Sequence, residues 1–175
     1  VHITKRSEPA LPRNIDLDMG EILVEHIKEK GLHVHFGKGI DSINGCDQVE
    51  SVTIEGEVIP VDFVILAAAV NSKTDLAEKM GLEIERGSIK VDEHMRTNEP
   101  DVYAVGDNCL SYNMIDGSPA RIALATTAYR QAKVAGINAA GGDTTYDGTL
   151  GTFVSYVGEL EVAATGYNTV GAESA

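Results

Sequence analysis

Long apolar runs are missing from this sequence. None approaches the roughly 20 residues needed to cross a bilayer, and the first residues lack the basic-then-apolar layout of a signal peptide. Both absences point to a cytoplasmic protein with no membrane partner. Positive charge is scarce as well: 14 Lys and Arg stand against 27 Asp and Glu, a formal net charge of −13 over 175 residues. So acidic a surface repels DNA, RNA and anionic lipid at long range, which argues against nucleic acid as a partner. Cysteine is rarer still. Cys46 and Cys109 are the only two, with no second Cys or His at metal spacing, so neither a disulfide scaffold nor a zinc site is expected. Finally, no Gly-x-Gly-x-x-Gly stands anywhere in the chain, so a complete pyrophosphate-cradling loop of that kind is not among these residues.

What remains is an ordinary globular composition, 43% hydrophobic and 23% charged, enough for one domain or two small ones. "VHIT" (1–4) reads as a short strand. In "IDLDMGEILVEHIKEKG", Met19, Ile22, Leu23 and Ile27 recur at helical spacing, with Asp16 as the expected N-cap and Gly31 just past the end, predicting an amphipathic helix packed on a sheet. "LHVHF" (32–36) is a strand, and "QVESVTI" and "EVIP" form a two-stranded excursion around the turn Glu55-Gly56. "VDFVILAAAV" (61–70) alternates too little for a half-exposed strand and is expected to be buried on both faces, as a parallel sheet demands. A helix start at "NSKTDLAEKMG", a strand at "SIKVD" (88–92), a strand in "VYAVGD" ending at Gly106, and a helix over about 121–140 follow. "FVSYVGELEVAATGYN" alternates as a fresh β-segment with no visible partner.

"VYAVGD" carries the clearest chemical signal. In an open α/β sheet, ligands lie beyond the carboxyl ends of the strands. Gly106 there leaves room for a bulky group to approach, and Asp107 is an acceptor suited to a ribose-like hydroxyl. The next helix offers its N-terminal N–H groups near Leu124 to Thr127 to a carbonyl oxygen or an anion. Taken alone, a strand ending in Gly-Asp more often marks a turn or a helix cap.

The surroundings change that balance. Thr97, four spacers and "VYAVGD" together resemble the second flavin signature of the two-dinucleotide-binding-domain flavoproteins. "SEPALPRNIDLDM", "VILAAAV", "GLEIERGSIKVDEHMRTNEPDVYAVGD" and "GTLGTFV" follow, in order, the pattern of the pyridine nucleotide-disulfide oxidoreductase family. The resemblance covers essentially the whole chain and is nearest to the NADH oxidase, NADH peroxidase and coenzyme A-disulfide reductase branch, in the C-terminal part of such a protein.

That resemblance implies an α/β chain carrying a partial two-dinucleotide-binding-domain flavoprotein fold, with three-layer Rossmann-like halves and the start of an α+β dimerisation domain. Residues 1–69 would be the C-terminal half of the NAD(P)-binding domain, 70–145 the second segment of the FAD-binding domain, and 146–175 the truncated start of the dimerisation domain. Asp107 would bind the ribityl chain of FAD, Gly106 would give access, and the backbone of Ala125, Thr126 and Thr127 would face the flavin ring. The implied function is that of an FAD-dependent NAD(P)H oxidase or disulfide reductase, passing hydride through flavin to a disulfide, polysulfide, peroxide or oxygen, in a homodimer. Both glycine loops and the redox-active cysteine would lie upstream of Val1, so the isolated chain is expected to be inactive and to bind FAD weakly. No residue here is a catalytic candidate. The alternative is a non-catalytic binding or oligomerisation module that retains the flavoprotein pattern.

In this fold a carboxylate at the end of the second strand marks NAD. Here Lys5 and Arg6 stand at that position, favouring the 2′-phosphate of NADPH over NADH; otherwise both are solvated surface charges. The resemblance breaks at Ala69, where a glycine is usual, and at Ser72-Lys73, where Pro-Asn is usual. A methyl group where backbone meets nucleotide narrows the site. Cys109 is expected to be a packing residue. His2, His26, His33, His35 and His94 show no triad or ligand spacing, Asp16 and Asp18 suit a helix start, and Arg130 suits a surface or interface ion. Strands lacking partners would expose edges and apolar faces that favour association between copies.

Overall fold

The structure, a computed structural model, describes residues 1–6, 10–68 and 70–175. They fall into two compact units, one of Val1–Ala68 with Phe153–Ala175 and one of Ala69–Thr152. The first unit opens with β1 (His2–Lys5), α1 (Leu17–Glu29) and β2 (His33–Phe36). β1 and β2 pair in parallel, from His2 opposite His33 to Lys5 opposite Phe36, and α1 is the crossover that parallel pairing requires. Gly20, Leu23 and Val24 form the buried face of α1, with Ile27 packed beside them. Met19 and Ile22, expected on that face, are instead 51% and 57% exposed. On a period of 3.6, positions 20, 23, 24 and 27 share one stripe, and 19 and 22 lie off its edge.

β3 (Ser42–Asn44), β4 (Ser51–Ile54) and β5 (Glu57–Pro60) make an antiparallel sheet. Its hairpin turns at Glu55 (φ 50°) and Gly56 (φ 78°), both in the left-handed region that suits the strand twist. Val52, Ile54 and Ile59 are buried on one side, with Val61 and Val64 against them. Beyond that point the strand expected over 61–70 does not form among the described residues of that span. Residues 62–68 join no ladder among the described residues, and Phe63, Ile65 and Leu66 are 70–78% exposed. An unalternating apolar run satisfies a doubly buried strand only where neighbours pair with both of its edges, and none of the described residues does so.

The second unit contains α2 (Asp75–Lys79), the short hairpin β6 (Ile84–Glu85) and β7 (Ser88–Ile89), the pair β8 (Ser111–Tyr112) and β9 (Pro119–Ala120), and the long α3 (Ala125–Ala139). "SIKVD" contributes only β7. The expected strand in "VYAVGD" is reduced to one antiparallel bridge, Arg96 with Tyr103, supported by Ala104 N–H to Met95 O at 3.2 Å. The segment is held by packing instead. Tyr103, Ala104 and Val105 lie on a core of Val91, Met95, Cys109, Val134, Ala135 and Tyr146. Met95 and Leu110 are fully buried, each contributing about 1.5–3 kcal/mol of hydrophobic stabilisation.

The last segment returns to the first unit. β10 (Phe153–Val157) and β11 (Leu160–Ala164) form an antiparallel hairpin, followed by α4 (Thr169–Ser174). Expected to lack a partner, the hairpin has one: Val162 is buried against Ile15 and Leu23, with Phe153, Val157 and Leu160 around them. Asn168 Nδ2 donates to the carbonyls of Pro12 and Ile15 at 3.0 and 3.2 Å. Asp16 occupies the N-cap position of α1 without capping it by its side chain. Its carboxylate accepts from Thr169 N–H at 2.7 Å, so it serves the start of α4. No helix among the described residues is long and apolar enough to cross a membrane.

Candidate functional site

The extended chain of "VYAVGD" stops abruptly. Val105 has φ −144° and ψ 161°, and Gly106–Asn108 form a single 3-10 turn. Gly106 takes φ +75°, a conformation costing an L-residue about 1–2 kcal/mol. A Cβ there would stand 3.4 Å from the Ala128 Cβ, so the turn lies directly against α3.

Three further residues grip this turn. Gly106 N–H donates to Gln131 Oε1 at 2.8 Å, and Cys109 Sγ donates to the same oxygen at 3.5 Å. Ser72 Oγ donates to the Asp107 carbonyl at 2.7 Å. Because a hydroxyl has one proton, the 3.2 Å contact between Ser72 and Ser88 must be donated by Ser88. Asn108 Oδ1 accepts from Lys73 N–H at 3.1 Å. The Asp107 side chain is exposed, and its carboxylate accepts no hydrogen bond among the described residues. A tightly held backbone thus presents one unspent acceptor.

The start of α3 supplies the complementary half. Leu124, at the N-cap position, gives no side-chain cap, and the first turn holds no acid. The first N–H groups of a helix have no intrahelical partner and carry partial positive charge. Ala125 and Thr126 are exposed, whereas Thr127 is 4% exposed. Gly106 lies on a turn packed against Ala128 of α3, Asp107 follows it on that turn, and Ala125, Thr126 and Thr127 form the first turn of the same helix.

Lys5 and Arg6 lie in the first unit, at the carboxyl end of β1 and just beyond it. Lys5 is half-buried, and desolvation lowers its amine from the ordinary 10.5; Arg6 is exposed. Ala69 lies outside the described residues. Cys109 is 2% exposed, and its thiol is pushed up to about 11, chiefly by burial. It is a packed thiol and a poor nucleophile at neutral pH. His33 and His35 do gain a companion: the His2 ring stacks on theirs at centroid distances of 4.7 and 5.3 Å, with His2 Nδ1 3.0 Å from His35 Nε2. No group of His, Cys, Asp and Glu able to hold a metal ion stands among the described residues. His94 is tied to Thr144 O at 3.1 Å and to Asp143 at 3.3 Å.

Sequence reasoning missed Gln131 and the part played by Ser72-Lys73. The signal for Gln131 was an amide-bearing residue on the inward face of α3, one helical turn from Ala128 and Ala135.

Comparison with known proteins bears on the same stretch. The family model described as pyridine nucleotide-disulphide oxidoreductase matches residues 1–132. A Methanocaldococcus jannaschii protein named NADH oxidase is 37% identical over 166 residues, covering 95% of this chain and 37% of its own length. A Pyrococcus furiosus NAD(P)H sulfur oxidoreductase (CoA-dependent) is 32% identical over 167 residues, 95% of this chain and 38% of its own. The crystal structure of an FAD-dependent pyridine nucleotide-disulphide oxidoreductase from Desulfovibrio vulgaris matches with a TM-score of 0.92 at 30% identity, over 99% of this chain and 44% of that one. The chain therefore spans well under half the length of these proteins, and its fold is α/β of the Rossmann type.

Proposed function

The chain belongs to the pyridine nucleotide-disulphide oxidoreductase family, a family of oxidoreductases, and on that premise we propose that it forms part of an FAD-dependent NAD(P)H oxidoreductase acting on a small redox acceptor: a disulfide, polysulfide, peroxide or oxygen. In this reading residues 1–69 complete the NAD(P)-binding domain, 70–145 belong to the FAD-binding domain and 146–175 open the dimerisation domain of a cytoplasmic homodimer. The exposed Val154 and Tyr156 on β10 suit contact with a second copy.

The observation that carries the proposal is the Asp107 carboxylate, exposed and without a hydrogen-bond donor among the described residues, on a turn clamped by Gln131 and Ser72. The residues present fit FAD. A polyol chain offers the hydroxyl donors that the carboxylate lacks, and the uncapped start of α3 offers the donors that a flavin carbonyl accepts. Asp107 would hold the ribityl chain, Gly106 would admit it, and the amides of Ala125 to Thr127 would orient the ring. FAD, when bound, supplies a two-electron centre between reduced nicotinamide and the acceptor. Lys5 and Arg6 would select the 2′-phosphate of NADPH, and Ala69 would narrow the nucleotide path.

The test uses the protein as its gene encodes it. The purified protein should carry flavin at about one per chain and oxidise NADPH, and Asp107→Ala should release most of the flavin. A wild-type protein that takes up no flavin from excess FAD overturns the reading.

A further inference from the structure

Beneath the Gly106 turn, α3 buries a carboxamide that its own helix does not need. Gln131 is 1% exposed. Its Oε1 receives the Gly106 N–H at 2.8 Å and the Cys109 thiol at 3.5 Å, the two residues that bracket Asp107 and Asn108. Since both neighbours are donors, the oxygen end of the amide is fixed without ambiguity. The other end has no partner among the described residues: Nε2 is a buried nitrogen that makes no hydrogen bond with them. An apolar residue of similar size would spare the stranded Nε2 but leave the Gly106 N–H without its acceptor, so the carbonyl end of this amide is what the position uses. What it does locally is hold the turn from inside, while Ser72 holds the Asp107 carbonyl at 2.7 Å. Gly106 at φ +75° has the freedom to move, and Gln131 removes it.

Building on the flavin reading above, we propose that Gln131 is a positioning residue: by fixing both ends of the Gly106–Cys109 turn, it sets the direction in which Asp107 meets a polyol ligand. It touches no ligand itself and acts through Asp107.

Two measurements on the protein as its gene encodes it decide the matter. In Gln131→Leu the Gly106 amide should exchange with solvent roughly tenfold or more faster, while the Val134 and Ala135 amides of α3 keep their protection. FAD affinity should fall about tenfold in Gln131→Leu and at least as much in Asp107→Asn. The double variant should then be no weaker than Asp107→Asn alone, because the first residue acts through the second. A generally loosened protein would show losses that add. Gln131→Glu, which keeps an acceptor oxygen, should retain the Gly106 protection and the affinity. Unchanged Gly106 exchange in Gln131→Leu, or additive losses in the double variant, overturns the proposal. If Gln131→Leu does not fold, Gln131→Glu decides, and loss of Gly106 protection in that folded variant overturns it. A wild-type protein that binds no FAD defeats the flavin reading instead, and the exchange measurement still judges the clamp.

Discussion

Raising the pH should destabilise the second unit through one side chain, Cys109. Its thiol is held near 11 instead of 9.0, chiefly by desolvation, with the Asp107 charge adding least. In the unfolded chain the thiol ionises around the ordinary value. As the pH climbs past 9 the unfolded state therefore releases its proton first, binds fewer protons than the folded state, and is favoured. The stability concerned is fully present below pH 9 and is lost as the pH passes about 11. A displacement of this size corresponds to about 3 kcal/mol when complete, roughly half of it by pH 10. That is a large share of the 5–15 kcal/mol typical of a domain. The assay is urea unfolding at pH 8 and pH 10, read at the Val134 and Ala135 amides of the same core, for wild type and Cys109→Ala. Tyrosine and lysine titrations are common to both proteins and cancel in the comparison. Cys109→Ala should be less stable at pH 8 through its cavity, yet lose about 1–2 kcal/mol less than wild type between the two pH values. Parallel pH dependences would show that the thiol titrates as though solvated, and the packing account of Cys109 would fail.

Asp107→Ala should leave unfolding stability within about 0.5 kcal/mol, as befits an exposed group without a hydrogen bond, while FAD affinity falls by tenfold or more; a stability loss equal to the binding loss would mean the carboxylate is structural. Lys5→Glu combined with Arg6→Ala should weaken NADPH far more than NADH in a direct binding titration, since a carboxylate repels the 2′-phosphate and Arg offers it a bidentate fork; equal losses would refute the nucleotide preference. His2 sits below its usual 6.5 through desolvation first, then through His33, His35 and the amino terminus, with Glu57 opposing. The unfolded chain then takes up the proton first as the pH falls below that value, so the pairing of β1 with β2 should weaken on acidification. Amide exchange at Ile3 and Thr4 at pH 7.5 and 5.5 reads this, and equal protection at both would contradict it.

How far the sequence revealed the fold depended on the range of each interaction. The hairpin at Glu55-Gly56, the helix after Leu17 and the alternation of 153–164 rest on neighbours within a few positions, and their periods are visible in the residues themselves. Where an element takes its stability from remote partners, the pattern misled. "VDFVILAAAV" states a demand for burial on two faces but does not contain the strands that would meet it, and Phe63, Ile65 and Leu66 stay exposed. Asp16 carries the sequence mark of a cap for its own helix, yet its carboxylate reaches Thr169 N–H, 153 positions away. That pairing also explains why α4 escaped notice: the helix takes part of its N-terminal satisfaction from a side chain far along the chain. Val162 illustrates the same effect in packing, finding Ile15 and Leu23 where the alternating segment alone suggested a face without a cover.

The candidate site divides along the same line. Asp107 and Gly106 were legible because Thr97 and the contiguous "VYAVGD" resemble a known flavin signature, whereas the Gly-Asp pair taken alone reads more readily as a turn or a cap. Gln131 was not, because a glutamine inside a helix has good helix propensity and ordinarily faces water. Its role emerges only when Gly106, 25 positions earlier, brings an N–H within 2.8 Å of it. Ser72 belongs with it: a residue that departs from the family pattern donates to the Asp107 carbonyl across 35 positions. The turn therefore owes its rigidity to side chains that the motif does not contain. Transplanting "VYAVGD" alone onto another scaffold should reproduce the acceptor without its orientation, because the glycine that grants the turn its shape leaves it equally free to lose that shape.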